Sequence, residues 1–179
     1  MKHYLALALS LLLLSACQSA PPMNTVAHVD LPRFMGSWYV IGNIPTAIEK
    51  DAYNAIETYR LDDDGTIDTT FTFRKGGFDG KPKEMHPRGF VRDGTSNALW
   101  GMQFTWPIKA DYRIVWLADD YSQTTIGREK RDYLWIMART PEIPDADYQK
   151  HVEFAKGLGY DVSQIRKVPQ RGAESTRAN

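Results

Sequence analysis

From Leu31 to Arg139 the chain reads as short runs of alternating apolar and polar residues, and no ten-residue stretch has helical spacing. Turn chemistry interrupts these runs roughly every eight to twelve residues. Pro45, Asp62-Asp63-Asp64-Gly65, Gly76-Gly77-Phe78-Asp79-Gly80, Asp93-Gly94 and Asp119-Asp120-Tyr121 are the main breaks. That pattern predicts strands over 36–44, 52–61, 66–75, 84–92, 98–106, 111–118, 122–128 and 132–139, with a lid-like connection at 45–51. Pro87 inside the fourth run marks a bend or an edge, because proline cannot donate to a ladder. Eight consecutive antiparallel strands joined by hairpin turns make an all-β, eight-stranded up-and-down β-barrel, the size that holds one small ligand. Beyond Pro141, Asp145 is placed to cap a helix over 146–157 whose Val152 and Phe154 pack outside the barrel. A short strand near 164–168 follows, and 171–179 reads as a disordered tail.

The ends of this run are predicted to meet. Gly36-Ser37-Trp38-Tyr39 opens the first strand, where glycine permits a sharp entry and an indole is large enough to plug a closed sheet. About one hundred residues later Arg139-Thr140-Pro141 closes the last strand. A guanidinium stacked on an indole is a cation–π contact of about 1–2 kcal/mol when desolvated, so Gly36, Trp38 and Arg139 are assigned to barrel closure.

The N-terminus has a different character. Lys2 precedes an apolar stretch, Tyr4 to Leu14, broken only by Ser10; it is too short to span a bilayer and has the form of a secretory signal. It ends Leu14-Ser15-Ala16-Cys17, which resembles the lipobox of bacterial lipoproteins. That resemblance implies a signal peptide over 1–16, acylation of Cys17, and a lipidated tether over 17–30. Gln18 after the cysteine fits sorting to the outer membrane. Cys17 is the sole cysteine, so no intramolecular disulfide can form and no thiol remains for catalysis or metal binding. Twenty-two basic residues balance twenty-two acidic ones, so no basic field exists for a nucleic acid.

Strand parity predicts what faces inward. The ligand-binding residues so assigned are Tyr53, Ala55, Glu57, Phe71, Phe73, Trp100, Met102, Phe104, Tyr112, Trp116, Tyr133 and Trp135. Val40, Gly42, Tyr59, Ile67, Thr69, Gly89, Trp106, Ile114 and Met137 share their faces. Ile41, Ile56 and Val115 point outward, which leaves homodimerisation open. Glu57 stands out as a carboxyl between tyrosines. A carboxylate there must be protonated, be paired, or sit at a wet rim orienting a head group. Lys75, Lys81 and Lys83 stand near the glycine loop, as a solvated loop or a mouth that meets an anionic head. His28, His86 and His151 are too scattered for a metal or haem site. Met102 and Met137 are core residues first and oxidisable sinks second.

Gly36-x-Trp38-Tyr39, Asp119-Asp120-Tyr121 and Leu134-Trp135-Ile136-Met137-Ala138-Arg139-Thr140-Pro141, in this order and spacing, are similar to the lipocalins, specifically their bacterial outer-membrane, apolipoprotein-D-like branch. The likeness covers roughly 30–168, and Asp119 stands where the family usually has Thr. It implies a barrel sealed by Trp38 and Arg139 and open at the other end to a fatty acid or lysophospholipid. It further implies a non-catalytic role in storage or transport for envelope maintenance, with no cofactor. The alternative is an enzyme or sacrificial antioxidant acting on bound, peroxidised lipid, although no Ser-His-Asp arrangement is legible.

Overall fold

A computed structural model describes residues 22–171; the expected signal peptide, Cys17 and nearly all of the tail 171–179 lie outside the described residues. The strands are β1 (Gly36–Ile44), β2 (Ala52–Leu61), β3 (Thr66–Lys75), β4 (Lys81–Met85), β5 (Arg88–Val91), β6 (Leu99–Thr105), β7 (Ile108–Leu117), β8 (Gln123–Gly127), β9 (Leu134–Ala138) and β10 (Arg166–Lys167). Each pairs antiparallel with the next around the sheet, and β1 pairs with both β2 and β9, so the sheet closes. β4 and β5 are one stave broken at Pro87, whose carbonyl accepts from Thr69 N at 3.2 Å. The barrel therefore has eight staves, and β10 lies against β1.

The closed end is stitched by the three segments that carried the resemblance. A single-turn helix, α1 (Leu31–Phe34), is started by Asp30, whose side chain accepts from Arg33 N. Its Phe34 carbonyl accepts from Trp38 Nε1 at 2.8 Å. The Arg139 guanidinium lies 3.7 Å above the fully buried Trp38 ring. Its nitrogens donate to the carbonyls of Ser37, Arg33, Phe34 and Met35 at 2.9–3.0 Å. Gly36 has φ +91°, and a Cβ there would stand 3.4 Å from Arg139 Nη1, so the sharp entry needs glycine. In the turn after β7, Asp120 rather than Asp119 takes the hydrogen-bonding role, accepting from Ser122 N at 3.0 Å and from its hydroxyl at 2.6 Å.

Two apolar clusters result. One fills the barrel from α1 upward and includes Phe34, Trp38, Tyr59, Ile67, Trp100 and Ile114. The other lies outside, where α2 (Asp145–Gly157) covers Ile41, Ile44, Leu134 and Ile136 with Tyr148 and Ala155. Asp145 is not the cap expected of it. It is the first helical residue, preceded by Pro144, and its carboxylate pairs with Lys167 Nζ at 2.6 Å. Val152 and Phe154 do pack on the outer cluster, but the fully covered face is Tyr148, His151 and Ala155.

The described part of the expected tether is also different. Met23 and Val29 are buried, Val26 N donates to Ile114 O at 2.9 Å, and Arg113 Nη1 donates to Met23 O at 2.9 Å. Apolar residues at 23, 26 and 29 fold this segment onto the barrel instead of leaving it free.

Candidate functional site

Around the end opposite Arg139, the connections 45–51, 76–80, 106–107 and 128–133 surround a mouth. Below it a cavity of about 240 Å³ enters the barrel. It exceeds the roughly 150 Å³ that admits benzene. It falls just short of the ~300 Å³ at which drug-sized pockets begin. Its wall is chiefly apolar: Phe71, Met85, Met102 and Tyr112 from the strands, Ile48, Tyr133 and Trp135 from the mouth side.

Of the residues assigned from parity, Glu57, Phe71, Met102, Phe104, Tyr112, Tyr133 and Trp135 line this cavity. Five do not, and the reasons are physical. Between the Tyr53–Arg74 and Ile56–Thr72 pairs, two residues of β2, Asn54 and Ala55, oppose one of β3, Phe73, with Asn54 at φ 47° forming the bulge. The extra residue turns Tyr53 outward, where its ring meets Phe78 edge-on at 5.2 Å. A second bulge between Ile114 and Trp116 turns Trp116 out beneath α2, edge-on to His151 at 4.6 Å. Ala55 and Phe73 are inward and buried in the core, but they are not on the cavity wall. Trp100 lies too deep: it stacks on Tyr112 at 5.1 Å and meets Phe34 edge-on, so it belongs to the plug.

Two further inward assignments also fail. Gly42 lies beyond a bulge at Val40/Gly42 and faces Tyr148 of α2. Trp106 is 81% exposed at the hairpin tip, beyond the irregularity between Met102 and Thr105.

Parity misses other wall residues. Thr46, Ile48 and Glu49 belong to the connection read as lid-like, and Met85 and Pro87 to the broken stave. Ala110 continues the Tyr112 face because β7 starts three residues earlier than expected, and Asp111 and Arg128 stand near it. The lid is pinned: Glu49 accepts from Trp135 Nε1 at 2.8 Å and from Thr46 N at 3.1 Å, and Arg166 donates to the Glu49 carbonyl.

Polarity is concentrated at two heights. At the floor, Glu57 accepts from the Tyr59 hydroxyl, which lies 2.7 Å from the Tyr112 hydroxyl. Burial lifts the Glu57 carboxyl to about 7, against the opposing pull of Tyr59, and Glu49 raises it further. Burial likewise pushes the Tyr59 and Tyr112 phenols well up. Glu57 is thus internal and paired, the second of the arrangements expected of it, and not at the rim. At the mouth, Arg128 Nη1 reaches Asp132 at 3.3 Å and the guanidinium stands 5.1 Å from the Tyr133 ring centre. Arg128 Nε is buried with no hydrogen-bond partner.

His151 is occupied structurally: its Nδ1 is 2.7 Å from Thr125 Oγ1 and its Nε2 2.9 Å from Gln123 Oε1. Among the described residues no group of three or more His, Cys, Asp or Glu side chains is placed to hold a metal.

A lipocalin-like domain model matches residues 29–170. The chain belongs to the lipocalin family. It is 30% identical over 160 residues to temperature-induced lipocalin-1 of Arabidopsis thaliana, covering 83% of each chain. It is 28% identical over 174 residues to outer membrane lipoprotein Blc of Escherichia coli K12, covering 94% of this chain and 96% of that one. Among solved structures, insecticyanin from the tobacco hornworm Manduca sexta superimposes with a TM-score of 0.66 at 15% identity, over 83% of this chain and 85% of that one. That likeness concerns the fold. This lipocalin thus resembles a bacterial outer membrane lipoprotein along nearly its whole length.

Proposed function

We propose that this lipocalin is a non-catalytic carrier of one single-chain amphiphile, a fatty acid or lysophospholipid. In this reading it is held at the bacterial outer membrane by acylated Cys17 and stores or moves lipid for envelope upkeep. The observation that carries the reading is a narrow apolar cavity, blind at Trp38 and Trp100 and open at a mouth where a buried guanidinium nitrogen lacks a partner. Burying a methylene is worth about 0.8 kcal/mol, so ten of them supply the ~8 kcal/mol of micromolar binding without polar help. The Arg128 guanidinium then meets the carboxylate or phosphate that stays at the rim.

Mass spectrometry of organic extracts from natively purified, membrane-derived protein tests the carrier reading. One single-chain lipid per polypeptide is expected; extracts without lipid, or with haem or a retinoid instead, contradict it. Radiolabelled palmitate tests the anchor: it enters the wild type and is lost in Cys17→Ala.

A further inference from the structure

The β6–β7 hairpin is the part of the surface that the cavity alone does not explain. Phe104, Trp106 and Ile108 are 58%, 81% and 70% exposed, and Ile48 of the neighbouring mouth connection is 55% exposed. Four large apolar side chains in water around one opening are not a folding device. Isolated exposed apolar residues are ordinary, but a group sharing one rim marks a contact surface.

Three observations say what covers it. First, this rim is continuous with the ligand cavity, since Phe104 and Ile48 also line the cavity. Second, the barrel's lysines gather at one end, where they stand among Glu49, Asp51, Asp79, Glu84, Glu129 and Asp132, while Arg33, Arg60, Arg88 and Arg92 stand toward the other. The barrel's lysines, Lys50, Lys75, Lys81, Lys83, Lys109 and Lys130, all lie on open-end connections or the strand ends beside them. The closed-end turns carry Asp62, Asp63, Asp64, Asp93, Asp119 and Asp120. A surface approached mouth-first therefore meets lysines interleaved with carboxylates around an indole, a small excess of positive charge, while the turns richest in aspartate face away.

Third, the N-terminal segment climbs toward the same end. Val29 N bonds Ser96 O at the closed end and Val26 N bonds Ile114 O at mid-barrel. Met23 N then meets Glu129, in the open-end connection 128–133. The six residue steps from Met23 back to Cys17 reach at most about 20 Å.

We infer that the open end of this lipocalin docks on an anionic lipid bilayer, with Trp106 and Ile108 of the β6–β7 hairpin entering the interface and the lysine ring held to its head groups. An indole with an apolar body and a polar N–H suits that boundary, and lysines can keep their charge in the head-group layer. Docked this way, the cavity opens onto the membrane, so a single-chain lipid passes between bilayer and barrel with little travel through water. The inference deepens the carrier reading and rests on it for its purpose, but not for the docking itself.

Flotation with vesicles of phosphatidylethanolamine and phosphatidylglycerol tests it, using the Cys17→Ala chain so that the anchor does not mask the surface. The chain is expected to float with these vesicles, to float less as salt rises, and to be released about tenfold more readily by the double substitution Trp106→Ser, Ile108→Ser. Neither of those residues lines the cavity, so the double variant is expected to keep wild-type affinity for monomeric dodecanoate added from solution. A chain that binds dodecanoate but does not float, or a double variant that floats equally well, overturns the docking. Dimerisation through the hairpin without flotation overturns it in favour of a second copy as the occupant. Flotation that depends on Trp106 and Ile108 in a chain that takes up no dodecanoate upholds the docking and ends the carrier reading.

Discussion

At the scale of single residues, the Glu57 carboxyl and the Arg139 guanidinium make the sharpest predictions. Glu57 has its carboxyl raised from 4.5 to about 7 by burial, facing Tyr59 on its own strand, Tyr112 on β7 and Glu49 on the lid. A raised acid holds its proton longer in the folded state, so its stabilisation is full below the unfolded value and is lost as pH rises through about 7. His151 does the opposite. Burial lowers it from 6.5 to about 4, so its contribution is lost as pH falls below 6.5. The two slopes oppose each other at mildly acid pH, and a difference measurement separates them. Glu57→Gln is expected to gain on the wild type by up to about 3 kcal/mol as pH rises from 4.5 past 7. Urea unfolding of both proteins across that range checks this; parallel curves would show the carboxyl to be ordinary.

Arg139 is the complementary case, a cation whose ordinary value is lowered by partial burial yet which is satisfied by an indole and five carbonyls. Arg139→Ala removes the ring contact and the fork together and is expected to cost about 3 kcal/mol. Arg139→Lys keeps the charge but not the planar fork, and about half of that loss is expected. The thermal midpoints of the pair distinguish a fork from a point charge.

At the scale of elements, bulges decide which face a residue takes. Strand spans for β1, β2 and β3 were legible to the residue, because alternation and turn chemistry both marked them. Orientation was legible only on one side of each bulge: in β2, Ala55, Glu57 and Tyr59 face inward as expected while Tyr53, across the bulge, does not. Nothing in Tyr53-Asn54-Ala55 announces that Asn54 will take positive φ and turn Tyr53 outward, and nothing in Val115-Trp116 announces the slip that places Trp116 under α2. Those slips come from closing a tilted barrel, a property of the whole sheet and not of one strand. The lid residues were out of reach for another reason, since loops carry no parity at all. Closure itself was readable, because Trp38 and Arg139 are large, distinctive and mutually complementary.

The seat of α2 can be tested directly. A Cβ at Gly42 would come within 2.8 Å of the Tyr148 ring and 3.2 Å of the Arg166 carbonyl. Gly42→Ala is therefore expected to cost about 1–3 kcal/mol and to loosen α2. Hydrogen exchange should quicken in α2 while the amides of β6 and β7 remain protected; uniform protection would mean that the helix seat absorbs a methyl without strain.

At the scale of the whole molecule, the barrel separates two tasks along one axis. The closed end carries the stability, with Phe34, Trp38, Tyr59 and Trp100 packed ring on ring. The open end has the space, the unpartnered Arg128 Nε and the exposed hairpin. Filling the space should therefore leave the fold intact. Ala110 lies on the cavity wall beside the mouth, so Ala110→Phe puts a ring where the acyl chain would run. Calorimetric titration of the wild type and Ala110→Phe with a lysophospholipid below its micellar concentration measures the central claim. One site of about micromolar affinity or better is expected in the wild type, weakened at least about thirtyfold in an Ala110→Phe protein of unchanged thermal midpoint. A wild type that takes up no single-chain lipid, or a filled barrel that binds it equally well, would contradict it.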